Sequence, residues 1–459
     1  MEDLIEWRDF EPSIIDRAKE ENRAIFIFIY SKNSKLSERM QDEIFSNKDI
    51  ANILNREFIS IKIDRYIRVD LFKYYKEVYK LINRKESNEP LCIFATSEFE
   101  PFYAFGYLPL ETRGNILGFR ELLNSVVDRY KNEKDILVKN GREILSHLNR
   151  LDSKIQATKF DLDILTRTLI VHIDKLFDRE YGGFGEEIKF LNSSVLDLMF
   201  CLGDSNIEKL ALFTLREMAN SKVFNRDSGI FYRYATREWN YATSQTLNYQ
   251  NALLAKLYIR AYLISKESIY REVGELLLDN LKLEDITSLD AIVADGLLYG
   301  SILDSRYKNR AIQILDTLLD SRYKNRKLFH TSNVDGFLED YAYLGSALLS
   351  AYRFSDNRDY LIFAQNILNL AIERFYKKGR WRFSDYIEVY EDIYDIDYPS
   401  SISVLLELME SIGEFVEENY SNIVFRTFEV NSYNLMRQPL SSPNMTKALL
   451  IYLRGDKRC

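Results

Sequence analysis

The residues best placed to do chemistry in this sequence are three carboxylates in one eight-residue run, Asp335-Gly336-Phe337-Leu338-Glu339-Asp340-Tyr341-Ala342. Two acids close together can divide the work of bond hydrolysis. One is held protonated as a donor and the other stays ionised, provided their surroundings push their proton affinities apart. On a helix, Asp335 and Glu339 share a face four residues apart, so Asp335, Glu339 and Asp340 are the expected catalytic group. The plainer reading has Asp335 capping the helix while Glu339 or Asp340 holds a neighbouring loop, because aspartate is a favoured N-cap. His330 stands just ahead of the run. It is one of 3 histidines, with His147 and His172, and a lone histidine at a helix–loop junction is more often hydrogen-bonded structure than a proton carrier. No spacing among His, Cys and carboxylates reads as a metal site. Gly182-Gly183-Phe184-Gly185 lacks the flanking strand, helix and lysine of a phosphate loop. No metal or cofactor is expected.

Composition narrows the classes. The net charge of -8 comes with no basic block, so the electrostatic footprint of a nucleic-acid binder is missing. Cys92, Cys201 and Cys459 are too few and too scattered for a disulfide framework and fit a reducing compartment. The opening MEDLIEWRDF lacks the basic-then-apolar pattern of a signal peptide. No apolar run approaches the ~18 residues of a membrane span. The expectation is therefore a cytoplasmic protein with no membrane contact. With only 17 Gly and 7 Pro, architectures that need frequent turns are disfavoured and helix should dominate.

The elements that must position these residues fall into two sets. Residues 24–30, AIFIFIY, form an aromatic and β-branched run too short for a helix, as a strand buried on both faces requires. FISIKI at 58–63 is a second strand, with helical spacing of Met40, Ile44, Ile50, Ile53 and Leu54 between the two. Tyr66 to Ile82 reads as another helix. After Glu89-Pro90, LCIFA and FYAFG read as a hairpin. From about residue 115 the periodicity is helical and no second sheet is visible. Phe337, Leu338, Tyr341, Leu344, Leu348 and Tyr352 form a stripe with 3.6-residue spacing, and Tyr360 to Phe375 repeats it. Roughly a dozen helical segments with short loops imply antiparallel pairs packed side by side. The octapeptide LDSRYKNR occurs at Leu303 and again at Leu319. The fold expected is α/β followed by all-α, with domains at 1–115 and 156–459 and a connecting helix over 116–155.

Ordered motifs run through both sets: Trp7, AIFIFIY, Ser34-Lys35-Leu36-Ser37, DRYIRVD from Asp64 to Asp70, Tyr181-Gly182-Gly183-Phe184-Gly185 with Lys189-Phe190, the run at Asp335, and Asp397-Tyr398-Pro399-Ser400-Ser401. In this order they resemble the thioredoxin-like family that includes spermatogenesis-associated protein 20 and its bacterial relatives. The resemblance implies a thioredoxin-like fold followed by an (α/α)6 toroid, similar to the six-hairpin toroids of sugar epimerases and glycoside-processing enzymes. It also places Ser34 and Ser37 where the family carries C-H-W-C, and Pro90 where the family has a strand-leading proline. Thiol–disulfide exchange needs a thiolate to attack and a second sulfur to resolve the mixed disulfide. A hydroxyl does neither, so the first domain is expected to be non-redox. Cys92, just past Pro90, is the remaining thiol near that site, and a small buried strand residue is the simpler reading of it.

The second domain departs from the pattern too. Where the family has P-H-F-E-K-M-L-Y-D, this chain has ATSQTLNYQ from Ala242 to Gln250, so four ionisable positions have become neutral. The toroid implied by the resemblance gives Asp335, Glu339 and Asp340 a central funnel to face. Lys189, Tyr234, Trp239, Tyr249, His330 and Tyr341 are the ligand-binding candidates, although aromatic stripes in helical domains are usually packing. Two functional readings follow, a toroid that binds and processes a carbohydrate-like ligand, and a catalytically inactive scaffold for a protein partner. A thiol oxidoreductase is the third and weakest.

Overall fold

A strand with apolar residues on both faces belongs in the middle of a sheet. The computed structural model, which describes residues 3–11, 13–86, 90–149 and 157–455, puts β1 (Ala24–Tyr30) there. It lies between β2 (Phe58–Asp64), which is parallel to it, and β3 (Leu91–Ala95), which is antiparallel; β4 (Pro101–Phe105) pairs antiparallel with β3 at the edge. Glu89, Cys459 and the boundary expected at 155–156 lie outside the described residues. The chain divides into two compact units, Met1–Lys154 and Ile155–Cys459.

In the first unit the helices are α1 (Ser13–Glu20), α2 (Lys35–Met40), α3 (Lys48–Glu57), α4 (Val69–Asn83), α5 (Phe119–Asn132) and α6 (Lys134–Asn149). The parallel β1–β2 pair needs a crossover, which α2, a π turn through Phe45, and α3 supply. Trp7, Phe26, Phe28, Phe45, Phe94 and Phe119 meet on one side of the sheet. Helix α4 starts later than the periodicity predicts because the Asp64 carboxylate accepts the Tyr66 N–H at 2.9 Å and holds the chain in a turn. The stretch expected as a connector carries two helices that pack within this unit. Phe119, Leu122, Leu123 and Val126 of α5 enter the core, and Arg142 of α6 pairs with the buried Glu100 at 2.7 Å.

The second unit contains α7 (Leu162–Leu176), α8 (Ser193–Cys201), α9 (Ser205–Ala219), α10 (Asn248–Ser265), α11 (Ser268–Asn280), α12 (Thr287–Gly300), α13 (Arg306–Arg322), α14 (Leu338–Ser355), α15 (Arg358–Phe375), α16 (Ser401–Ile412), α17 (Ser421–Arg437) and α18 (Pro443–Arg454). Helices α8, α10, α12, α14, α16 and α18 pack each on the next, and α18 returns to α8, so they close a ring. The odd-numbered helices lie outside it, α9 on α8 and so on round to α7 on α18. This is an (α/α)6 toroid. A helix apolar on every side is an inner one, and α12 buries 12 of its 14 residues while α14 buries 12 of its 18.

The expectation of no further sheet is corrected. Short ribbons occupy the connections into the inner helices: β5 (Ile188–Phe190) with β8 (Tyr234–Thr236), β6 (Phe224–Asn225) with β7 (Ile230–Phe231), β9 (Tyr323–Lys324) with β10 (Lys327–Leu328), and β11 (Tyr376–Lys377) with β12 (Arg380–Trp381). Strands of two or three residues are too short to show alternation in a sequence. The repeated octapeptide shows context overriding local sequence. Its first copy opens α13, whereas its second closes α13 and turns into β9, with Asn325 and Arg326 at positive φ. Among the described residues no helix is long and apolar enough to cross a membrane.

Candidate functional site

The run from Asp335 to Ala342 crosses from ribbon to inner helix. Gly336 sits so close to the preceding ribbon that a Cβ there would meet the Leu328 carbonyl at 2.7 Å. Helix α14 begins only at Leu338, so Asp335 and Glu339 do not share a helical face as expected. Asp335 is outside the helix, exposed, and paired with Lys327 at 2.6 Å. Glu339 and Asp340 are buried and lie beside His330, their nitrogen and oxygens all within 4.8 Å of one another.

Asp340 is fully engaged. Its carboxylate accepts the Phe337 N–H at 2.8 Å and the Ser288 N–H at 3.0 Å, and His330 Nδ1 lies 3.0 Å from both oxygens. It caps α14 from inside and ties it to α12 and to the ribbon before it. Glu339 accepts the Tyr398 hydroxyl at 2.8 Å and the Ser288 hydroxyl at 3.2 Å. Both carboxylates are thus engaged by donors of the fold. Tyr249 and Tyr343 stand edge-on to Tyr398, and Tyr343 donates to the Pro399 carbonyl.

The glycine-rich motif is an anchor. Lys189 is completely buried, donating to Asp178 at 2.8 Å and to the Gly182 carbonyl at 2.6 Å, with its ammonium over the Trp239 ring. Trp239 donates its indole N–H to the Tyr181 carbonyl at 2.9 Å. Burial alone would raise the proton affinity of Asp178; the hydrogen bonds from Lys189 and Arg237 more than reverse this and hold it well below the usual carboxylate range. Gly183, at φ +75°, lies where a Cβ would meet the Trp239 ring at 2.9 Å. The polar atoms of Lys189 and Trp239 are thus used within the fold. Tyr341 is buried and accepts the Leu328 N–H, and the half-buried Tyr234 packs on Phe190.

Farther along the axis of the ring lies a cavity of about 460 Å³ lined by all six inner helices. Its charged groups were not anticipated. Lys447 reaches Asp197 at 2.7 Å and Glu407 at 3.1 Å. Arg260 holds the other Asp197 oxygen at 3.0 Å, Lys256 pairs with Asp295 at 2.5 Å, and Ser350 donates to Asp295 at 2.6 Å. Burial opposes ionisation of Asp197, but Lys447 and Arg260 outweigh it and bring its pKa down to about 2. Asp335, Glu339 and Asp340 do not line this cavity; Tyr343 and Pro399 do, and stand between it and Tyr398. One signal was available in the sequence. Helices otherwise apolar all round, such as SISVLLELMESI and PNMTKALLIYLR, carry a Glu or Lys that has to be accommodated inside.

In the first unit, Ser34 and Ser37 stand at the start of α2. Ser34 Oγ caps the helix by accepting the Ser37 N–H at 3.3 Å, and Ser37 Oγ accepts the Ser31 N–H at 3.4 Å. Cys92, paired across the sheet with Phe28, is fully buried, and burial pushes its thiol well above its ordinary pKa.

A family model described as Thioredox_DsbH, a protein of unknown function (DUF255), matches residues 1–149. Spermatogenesis-associated protein 20 of Rattus norvegicus is 28% identical over 284 residues, 59% of this chain and 36% of that protein. The first unit is similar to this family, and the chain is similar over part of its length to spermatogenesis-associated protein 20. It spans only about a third of the length of these curated relatives. Two solved structures resemble the ring: a sugar epimerase from a ruminal bacterium (12% identity, TM-score 0.52, 64% of this chain and 97% of that one) and a cellobiose 2-epimerase from Bacillus thermoamylovorans (11%, 0.51, 63% and 98%). At such identities the likeness is one of fold. Serine stands at positions 34 and 37, where the resemblance places the family's C-x-x-C cysteines.

Proposed function

We propose that the ring binds a carbohydrate-like molecule in its central cavity and that the first unit carries out no thiol–disulfide exchange. The observation behind the first statement is the cavity's lining. Asp197, Lys256, Arg260, Asp295, Ser350 and Lys447 line one cavity from five inner helices. A molecule rich in hydroxyls, each both donor and acceptor, can join such a network without leaving a charge unpaired. The likeness of the ring to two sugar epimerases supports a sugar-sized ligand. The second statement rests on the hydroxyls of Ser34 and Ser37 and on the burial of Cys92.

In this reading Asp340 and His330 hold the entry to α14, and Glu339 with Tyr398 braces the ring. No chemical step is required of them. The test is thermal shift and calorimetry of the full chain against neutral mono- and disaccharides. At least one sugar should raise the melting temperature, and Asp295→Asn should weaken that response at least tenfold. A panel with no response from the wild-type chain would remove the reading. A catalytically inactive scaffold would then be favoured by the two serines and by the neutral segment from Thr243 to Gln250.

A further inference from the structure

The two ends of the ring differ in what they leave open. At the end where the inner helices begin, Tyr249, Ser288 and Glu339 of the first turns of α10, α12 and α14 are buried. Tyr398 ties them together, donating to Glu339 at 2.8 Å and standing edge-on to Tyr249 and Tyr343. Just beneath, Tyr343, Pro399 and Asn444 line the cavity and are buried too. At the end where the inner helices finish, Arg353 of α14 lines the cavity and is exposed, and Tyr299 of α12, Ser411 of α16 and Ile451 of α18 line it half-buried. The charged groups between remain within reach of solvent. Lys256 keeps 36% and Asp197 29% of their side-chain surface although both are ion-paired.

Resting on the reading that the cavity holds a sugar-like ligand, we propose that the ligand enters past the last turns of the inner helices, on the face opposite the ribbons, and that the tyrosine-sealed end makes the cavity a blind pocket. A blind pocket admits a free sugar or the end of a sugar chain and excludes the interior of one, which needs two exits. The closure is thinnest beside α8, where Ser193 and Ser194 of the first turn line the cavity half-buried. That gap is the competing route.

A thiol placed at Ser346, half-buried in the lining on α14, reports which route is used. The experiment labels Ser346→Cys in the folded full chain with sulfonatoethyl methanethiosulfonate, followed by mass spectrometry, with the wild-type chain as the blank for its native cysteines. Because thiol modification follows access, adding Ser411→Trp should slow labelling about tenfold or more, whereas adding Ser194→Trp should change it less than about twofold. The reverse pattern, equal slowing by both, or a thiol that reacts only after unfolding would overturn the route. Calorimetry of the wild-type chain with maltose and α-cyclodextrin, a ring of the same linked glucose units with no chain end, tests the pocket without any variant. Maltose should bind and α-cyclodextrin should not; equal affinity for the two would overturn the blind pocket. A chain silent to every sugar but with the expected labelling pattern would remove the sugar reading and leave the route standing.

Discussion

Removing the Asp340 carboxylate is the sharpest test of whether the intact eight-residue run is structural. In Asp340→Ala the N–H groups of Ser288 and Phe337 and the His330 ring lose their common acceptor. Each of these groups is enclosed where water cannot replace the lost partner, since Asp340, Ser288 and His330 have no exposed surface. A hydrogen bond to a charged group is worth about 1.5–3 kcal/mol. Three on one carboxylate do not add independently, so a loss of about 5 kcal/mol is expected. For a unit of this size that lowers Tm by roughly 10 °C or more. Asp340→Asn keeps one accepting oxygen but points an amide N–H at a former donor, and should lose about half as much. Unfolding in urea, followed by the fluorescence of the buried Trp239 and Trp381, measures the difference. A loss below about 1 kcal/mol for the alanine variant would refute the capping account, because an enclosed acceptor of three donors cannot be that cheap to remove.

Three further outcomes follow. Lys189→Met should destabilise by about 3 kcal/mol in the same urea assay, the low end for breaking a buried pair, because Arg237 still neutralises Asp178. Cys92 should resist alkylation by iodoacetamide in the native chain and react once the chain is unfolded, since neither exposure nor thiolate is available to it; rapid native labelling would contradict its placement. Asp197 has its pKa depressed in the fold to about 2 against an ordinary 3.8, so its ionic contribution is complete above about pH 4 and is lost as pH falls toward 2. The acid limb of a stability profile should therefore be shallower in Asp197→Asn than in wild type, and an identical limb would argue against the depression.

Much of the fold is visible in the residues because the strands are buried on both faces. AIFIFIY and LCIFA coincide with β1 and β3, as uninterrupted apolar runs of that length have no other comfortable place. The start of α4 was displaced by one carboxylate, Asp64, whose turn no periodicity records. The ribbons escaped notice because two-residue strands are set by the helices they join. The candidate site divides the same way. The Asp335 run marks a real junction, but which acid faces inward depends on where α14 begins, and that is fixed by Gly336 pressed on Leu328 and by Asp340 bonded to Phe337. The cavity charges were illegible for a different reason. Asp197 and Lys447 meet across 250 residues, and only closure of the ring makes neighbours of them.

The most direct measurement is a crystal structure of the full chain soaked with a saturating monosaccharide. The account predicts sugar density inside the ring, within hydrogen-bonding distance of Asp295 and Lys256. Density confined to the outer surface, or seated on Glu339 with the Tyr398 ring displaced, would contradict it.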